Sequence, residues 1–266
     1  MNDFGDFLGV AGAAVDVARN TIHATSVGSV TAKGDRDMVT DVDYAVEREV
    51  REFLAEETPH IGFLGEEEGS SGETGPLVWT LDPVDGTANY VRGLPLCGVS
   101  LALLDRGKPV VGVIDLPFLD SRYTAAYGIG ARSNGEVIGV STVAKLSEAI
   151  VSVGDFAVGA GSEEKNIQRL RLTASLAARV QRVRMFGSAA IDLAWVAHGR
   201  TDACVMLVNN PWDVAAGVII AREAGAAVVS VDGSDHRADS SGTIAVAPHL
   251  LEPLMSLIRS PSEAEV

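Results

Sequence analysis

The chain has 266 residues, with 21 Lys and Arg against 36 Asp and Glu, a formal charge of −15. Neither the total nor any local Lys/Arg run supplies the basic surface that neutralises phosphates, so binding to nucleic acid through its backbone charge is excluded. With 47% hydrophobic and 21% charged residues, the composition is globular and not that of an acidic disordered tail, so the acids belong to a folded body.

At about 100 to 200 residues per domain, this length allows one large domain or two small ones sharing an interface. No apolar run approaches the roughly 20 residues that span a bilayer. The start, Met1-Asn2-Asp3-Phe4-Gly5-Asp6, is acidic where a secretory signal is basic. The expectation is a soluble cytoplasmic protein with no membrane partner. Cys97 and Cys204 each lie in an apolar stretch and lack zinc-site spacing, so they read as buried reduced thiols.

Phe4, Leu8, Ala11, Val15, Ala18 and Ile22 recur at three- and four-residue spacing, which predicts an amphipathic helix over about 4–26. Residues 31–37 have nothing to bury and read as an exposed loop. Val42, Val46, Val50, Phe53 and Leu54 predict a second helix to about residue 57, with Pro59 as its stop and Asp43 and Glu47 on a different face. Short apolar runs broken by Gly and Pro then predict strands at 61–64, 77–81, 99–104, 110–114 and 123–126. Asp105-Arg106-Gly107-Lys108 is hairpin-turn chemistry between two of them.

Beyond Leu146 the pattern alternates: strand 149–153, helix 163–178, strand 182–186, helix 188–198, strand 203–207, helix 212–224, strands 227–230 and 242–245, and helix 248–259. Gly199 and Gly225 stand where left-handed caps end helices, and Ser188 stands at an N-cap. An α+β half, residues 1–145, thus precedes an α/β half, residues 146–266, with no Pro- or Gly-rich linker between them. Gly128-Ile129-Gly130 with Gly135 lacks dinucleotide spacing and reads as a turn.

Three segments put acids at the ends of core elements: Gly65-Glu66-Glu67-Glu68-Gly69, Trp79-Thr80-Leu81-Asp82-Pro83-Val84-Asp85-Gly86-Thr87-Ala88-Asn89-Tyr90, and Asn210-Pro211-Trp212-Asp213-Val214. Acids gathered by a fold repel unless a cation joins them. Oxygen donors without Cys or His pairs point to Mg²⁺. The Pro83 turn lets both aspartates and the Val84 carbonyl face one point, and the Gly86 and Thr87 amides form an anion cradle. Each residue also has a plainer reading: Glu66–Glu68 as a solvated charge run, Asp82 and Asp85 as an Asx turn, Asp213 and Ser188 as helix caps. Lys33 and Asp37 read equally as groups closing over the metals or as solvated charges. There is no G-x-S-x-G elbow and no phosphate-binding P-loop, and His23, His60, His198, His236 and His249 lack ligand spacing. Attack by water fits better than a covalent intermediate.

These three segments, with Asp37-Met38-Val39-Thr40-Asp41-Val42-Asp43 and Phe186-Gly187-Ser188-Ala189-Ala190, resemble in order and separation the signature segments of the inositol monophosphatase family of lithium-sensitive, Mg²⁺-dependent phosphatases. The resemblance implies an αβαβα layered sandwich, α+β and α/β in its two halves, usually a homodimer, with two or three Mg²⁺ ions. It further implies that Glu66, Asp82 and the Val84 carbonyl hold a first metal, Asp82, Asp85 and Asp213 a second, and Glu67 a weaker third. Thr87 and Glu66 would position the attacking water with Asp43 behind Thr87. Substrate contacts would come from Asp85, Gly86, Thr87, Ser188 and Ala189. The implied reaction is hydrolysis of a small polyol phosphate, inositol monophosphate first.

One position departs from the family. A Glu that binds sugar hydroxyls usually stands seven residues before the Trp-Asp aspartate, and here that residue is Met206, a thioether that accepts no strong hydrogen bond. Asn209, Asn210 and Asp155 are the polar residues available to replace it. Met206 keeps other esters open as substrates: histidinol phosphate, fructose bisphosphate or a 3′-phosphonucleotide. A non-catalytic regulatory role is the reading from another class, and the complete acid set argues against it.

Overall fold

A computed structural model describes residues 4–25, 30–34 and 37–259, without the side chains of residues 33, 34 and 37; the side chains of Lys33 and Asp37 therefore lie outside what is described. In chain order the first half consists of α1 (Gly5–Ala24), β1 (Val30–Gly34), β2 (Asp37–Thr40), α2 (Asp41–Glu57), β3 (Gly62–Gly65), β4 (Gly69–Ser71), β5 (Leu77–Asp85), α3 (Thr87–Val91), β6 (Gly98–Asp105), β7 (Lys108–Leu116), β8 (Ser121–Ala126), β9 (Gly130–Ser133) and β10 (Glu136–Val137). The second half has β11 (Ile150–Val153), α4 (Ser162–Ala177), β12 (Arg182–Arg184), α5 (Ala189–Ala197), β13 (Ala203–Met206), α6 (Pro211–Glu223), β14 (Ala227–Val229), β15 (Thr243–Val246) and α7 (Leu251–Arg259).

Two sheets organise the chain. The larger has eight strands in the order β10-β9-β8-β7-β6-β5-β3-β4, with β3 and β5 parallel and the other neighbours antiparallel. The smaller has five in the order β12-β11-β13-β15-β14. Along β6, Leu101 and Leu103 pack toward α1 and α2, while Ala102 and Leu104 pack toward α5 and α6. Both faces of the large sheet are covered, which is why its strands read as continuous apolar runs. Helices α5 and α6 lie between the two sheets, and α4 and α7 cover the outer face of the small one. The result is an αβαβα stack of five layers, as expected. Residues 214–221 of α6 are all buried, the signature of a helix that is apolar all round because it sits between layers. Gly112 of β7 lets α6 approach, since a Cβ there would stand 2.6 Å from the Ala216 carbonyl.

Caps stand at the helix ends where the sequence places them. Gly199 and Gly225 have φ of +65° and +95°, and the Ser188 hydroxyl accepts from the Ile191 N–H. Arg106 and Gly107 both have positive φ, so the hairpin turn between β6 and β7 forms as read. The exposed loop expected at 31–37 is instead an antiparallel hairpin, β1 with β2. Val39 and Thr40 of β2 are buried, but two adjacent buried residues make no periodic apolar stripe, so the sequence pattern gives no sign of the pairing. The strand expected to stop at Leu81 runs on to Asp85 through an irregularity in its pairing with β6. The last helix begins as a 3₁₀ turn, Pro248–Leu250.

Candidate active site

The parallel register of β3 and β5 pairs Gly65 with Leu81, and the Glu66 N–H donates to the Leu81 carbonyl at 3.2 Å. Glu66 and Asp82, each the next residue along its strand, therefore stand side by side. Asp213 arrives from the first turn of α6. Carboxylate oxygens of Glu66, Asp82 and Asp213 lie within 4.8 Å of one another. Pro211 opens α6, and the Asn210 N–H donates to Asp213 Oδ2 at 2.8 Å. The cap and the acidic cluster thus share one side chain, and the two readings of Asp213 are compatible.

Asp85 takes a different position. Its carboxylate accepts from the Ser188 hydroxyl and from the N–H groups of Ala189, at 3.1 Å, and Ala190, at 2.8 Å. It joins the end of β5 to the N-terminus of α5, where the helix dipole favours an anion. The Ser188 hydroxyl, donating to Asp85 and accepting from Ile191, is engaged on both sides.

Thr87 stands beneath these acids. Its hydroxyl lies 3.0 Å from the Val84 carbonyl and 3.3 Å from Asp43 Oδ1. Asp43 is buried at the N-terminus of α2, where its other oxygen accepts from the Thr40 N–H at 2.9 Å. The intervening Gly86 has φ +86°, and a Cβ on it would stand 2.8 Å from the Leu96 carbonyl, so only glycine fits.

A cavity of about 260 Å³ joins these groups. Glu66, Asp82, Val84, Asp85, Gly86, Thr87, Ser188, Ala189 and Asp213 line it, with Gly154, Asp155, Gly187, Asp192, Met206, Val208 and Asn209 completing the wall. No Lys, Arg or His is among the described residues lining it. Glu67 is not part of the lining; its N–H donates to Glu47 Oε2 at 2.7 Å.

Electrostatics follow from this crowding. Burial, then the neighbouring Glu66, Asp85, Asp213 and Asp43, push the Asp82 carboxyl well above its ordinary range. Burial raises Asp213 to about 7 against the hydrogen bond from Asn210, with Asp85 and Glu66 adding to the rise. It raises Asp85 to about 6 against the hydrogen bonds from Ser188, Ala190 and Ala189. Each carboxylate resists ionising beside the others, which is the condition a hard dication relieves. The donor set, oxygen throughout, fits Mg²⁺.

Two site residues escaped the motif reading. Asp192, one turn into α5, is buried, and that burial raises its carboxyl well above the usual range; inside an apolar helix it carried no spacing signal. Glu47 is fully buried and accepts from the N–H groups of Glu67 and Glu68 while pairing with Arg51. It fixes the chain just after Glu66. Its place on the Asp43 side of α2 was the available clue. A Cβ on Gly65 would fall 2.2 Å from the Glu47 carboxylate. Gly65→Ala is therefore expected to cost about 3 kcal/mol by dislodging a buried ion pair, and a denaturation midpoint equal to wild type would refute that packing.

Relatives more than 30% identical to this chain include inositol monophosphatases, and its enzyme class is accordingly that of the phosphatases of phosphate monoesters. The suhB protein of Bartonella henselae superimposes with a TM-score of 0.89 at 31% identity, covering 97% of this chain and 100% of its own. The inositol monophosphatase of Anabaena does so at 0.87 and 31%, covering 98% of both chains. Inositol-1-monophosphatase ImpA of Mycolicibacterium smegmatis is 35% identical over 89% of this chain and 86% of its own length. The fructose-1,6-bisphosphatase/inositol-1-monophosphatase of Thermotoga maritima is 39% identical over 84% and 83%. The chain belongs to the inositol monophosphatase family, whose sequence profile matches residues 7–262.

Proposed function

We propose that the protein hydrolyses a small polyol phosphate, inositol monophosphate first, by direct attack of water with Mg²⁺ as its cofactor. The observation that carries the proposal is the convergence of Glu66, Asp82 and Asp213 within 4.8 Å in a pocket with no cationic side chain among the described residues lining it. Glu66, Asp82 and the Val84 carbonyl would hold one ion, and Asp82, Asp85 and Asp213 a second. Glu67, outside the lining, is left as the ligand of a weaker third. When bound, Mg²⁺ supplies Lewis acidity toward water and toward the phosphate oxygens.

The chain's own groups then have distinct tasks. The Thr87 hydroxyl carries one proton; donating it toward Asp43 leaves its lone pairs to accept from the attacking water, which Glu66 orients from the other side. The Gly86 and Thr87 amides hold the phosphate. Asp85, held by the start of α5, keeps an acceptor position for a hydroxyl of the substrate, beside Ser188 and Ala189. The family resemblance adds a cytoplasmic homodimer and inhibition by Li⁺ at the second ion position. Turnover unchanged in tens of millimolar Li⁺ would contradict the latter.

Met206 on the pocket wall supports a second reading, phosphatase action on histidinol phosphate, fructose bisphosphate or a 3′-phosphonucleotide. A panel of these esters assayed in Mg²⁺ decides between them: inositol phosphates are expected at the head of the ranking by kcat/KM, and at its foot they would be eliminated.

A further inference from the structure

The pocket wall carries Met206 and Asn209, and the orientation of Asn209 is fixed from behind. The Thr243 hydroxyl donates to Asn209 Oδ1 at 2.8 Å, and Asn209 Nδ2 reaches the Ser240 carbonyl at 3.4 Å. Thr243 pairs with Met206 across β13 and β15, which puts its hydroxyl directly behind this wall. A hydroxyl has a single proton. Thr243 gives its proton to Asn209, so it must accept from His236, whose Nε2 lies 2.8 Å away.

His236 is itself buried at 2% exposure, and its Nδ1 has no hydrogen-bond partner among the described residues. Burial holds the ring neutral, its pKa pushed down to about 4. Only the Nε2–H tautomer then satisfies the chain. The other tautomer would bury an unpaired Nδ1–H, make Thr243 donate to His236, and flip Asn209 so that its oxygen faced the Ser240 carbonyl; each of these changes costs free energy. Proton direction therefore runs one way: His236 Nε2–H to Thr243, Thr243 O–H to Asn209 Oδ1. One N–H of the Asn209 carboxamide is left for a ligand.

We propose that Asn209 is a specificity-determining residue, its carboxamide N–H presented by His236 and Thr243 to an oxygen acceptor on the alcohol half of the ester. The inference rests on the phosphomonoesterase reading and adds what that reading lacked, a donor next to the inert thioether of Met206. Thr243 and His236 are positioning residues, since both act through Asn209.

The test compares kcat/KM in Mg²⁺ for the best polyol phosphate with that for phenyl phosphate, whose leaving group has no oxygen beyond the ester. Asn209→Ala is expected to lower this ratio about 10-fold, the size of one neutral hydrogen bond, mainly through KM for the polyol ester. Thr243→Val is expected to lower it similarly and Thr243→Ser to restore it. A ratio within twofold of wild type in Asn209→Ala overturns the inference. Asn209→Ala alters a half-buried wall residue and decides the matter even if Thr243→Val does not fold. Wild-type protein that hydrolyses neither ester would overturn the proposed function and this inference with it, whereas a flat ratio from active enzyme removes the inference alone.

Discussion

Asp82→Asn is expected to cut phosphate release by a factor on the order of 10³ or more while making the metal-free protein more stable, by about 2 kcal/mol or about 4–8 °C in Tm. The opposite signs have one cause. Asp82 is fully desolvated at the centre of four other carboxylates, so its charge is costly to the fold and valuable only to a cation. An amide keeps the shape and can still accept from the Val84 N–H, as Asp82 Oδ1 does at 3.1 Å. It removes the ligand shared by both proposed ions. Thermal unfolding in a chelator, with phosphate release measured in Mg²⁺, checks both halves. A destabilised, inactive variant would mean that Asp82 serves the fold and not the site.

Metal-free protein is also expected to lose about 1 kcal/mol of stability between pH 6.5 and 8, and Mg²⁺ to restore it. Burial raises the folded carboxyls, Asp85 to about 6, Asp213 to about 7 and Asp82 in the same direction, above an unfolded value near 3.8. The folded state therefore holds protons that the unfolded state has released, and stability falls as pH rises through the folded values. His236, pushed down to about 4, is neutral when folded across this window and weakens the fold only on the acid side. The rise in Tm on adding Mg²⁺ should thus be larger at pH 8 than at pH 6.5. An equal rise at the two values, measured by scanning calorimetry, would contradict the assignment of these acids to a cation.

Much of this was legible before any coordinates. The apolar runs located the strands of the small sheet and β3 and β5–β8 of the large one, as along β6 with Leu101 and Leu103 on one side and Ala102 and Leu104 on the other. The short strands β4, β9 and β10 toward its two edges carry no such run, so the sequence pattern does not mark them. The acids of the site stood out because they end core elements. What escaped has physical reasons. The β1–β2 hairpin pairs backbone without burying a stripe. The chain from His236 through Thr243 to Asn209 joins residues 7 and 34 positions apart, and no local pattern marks that contact. Glu47 reads as one more charge on a helix, yet it is fully buried because the turn after β3 brings two N–H groups and Arg51 to it. Conversely, Asp85 was legible as an acid of the site, but its engagement with the start of α5, more than a hundred residues away, follows only from the stacking of the layers.

Dependence of the reaction on a cation held by the acids of the site is tested most directly by the rate of phosphate release from inositol monophosphate by metal-stripped protein as Mg²⁺ is added. Expected are no turnover in chelator, a rate that rises with Mg²⁺ and saturates, and no such rise when Asp213 is replaced by Asn. Full turnover in chelator, or a Mg²⁺ response that survives Asp213→Asn, would contradict that dependence.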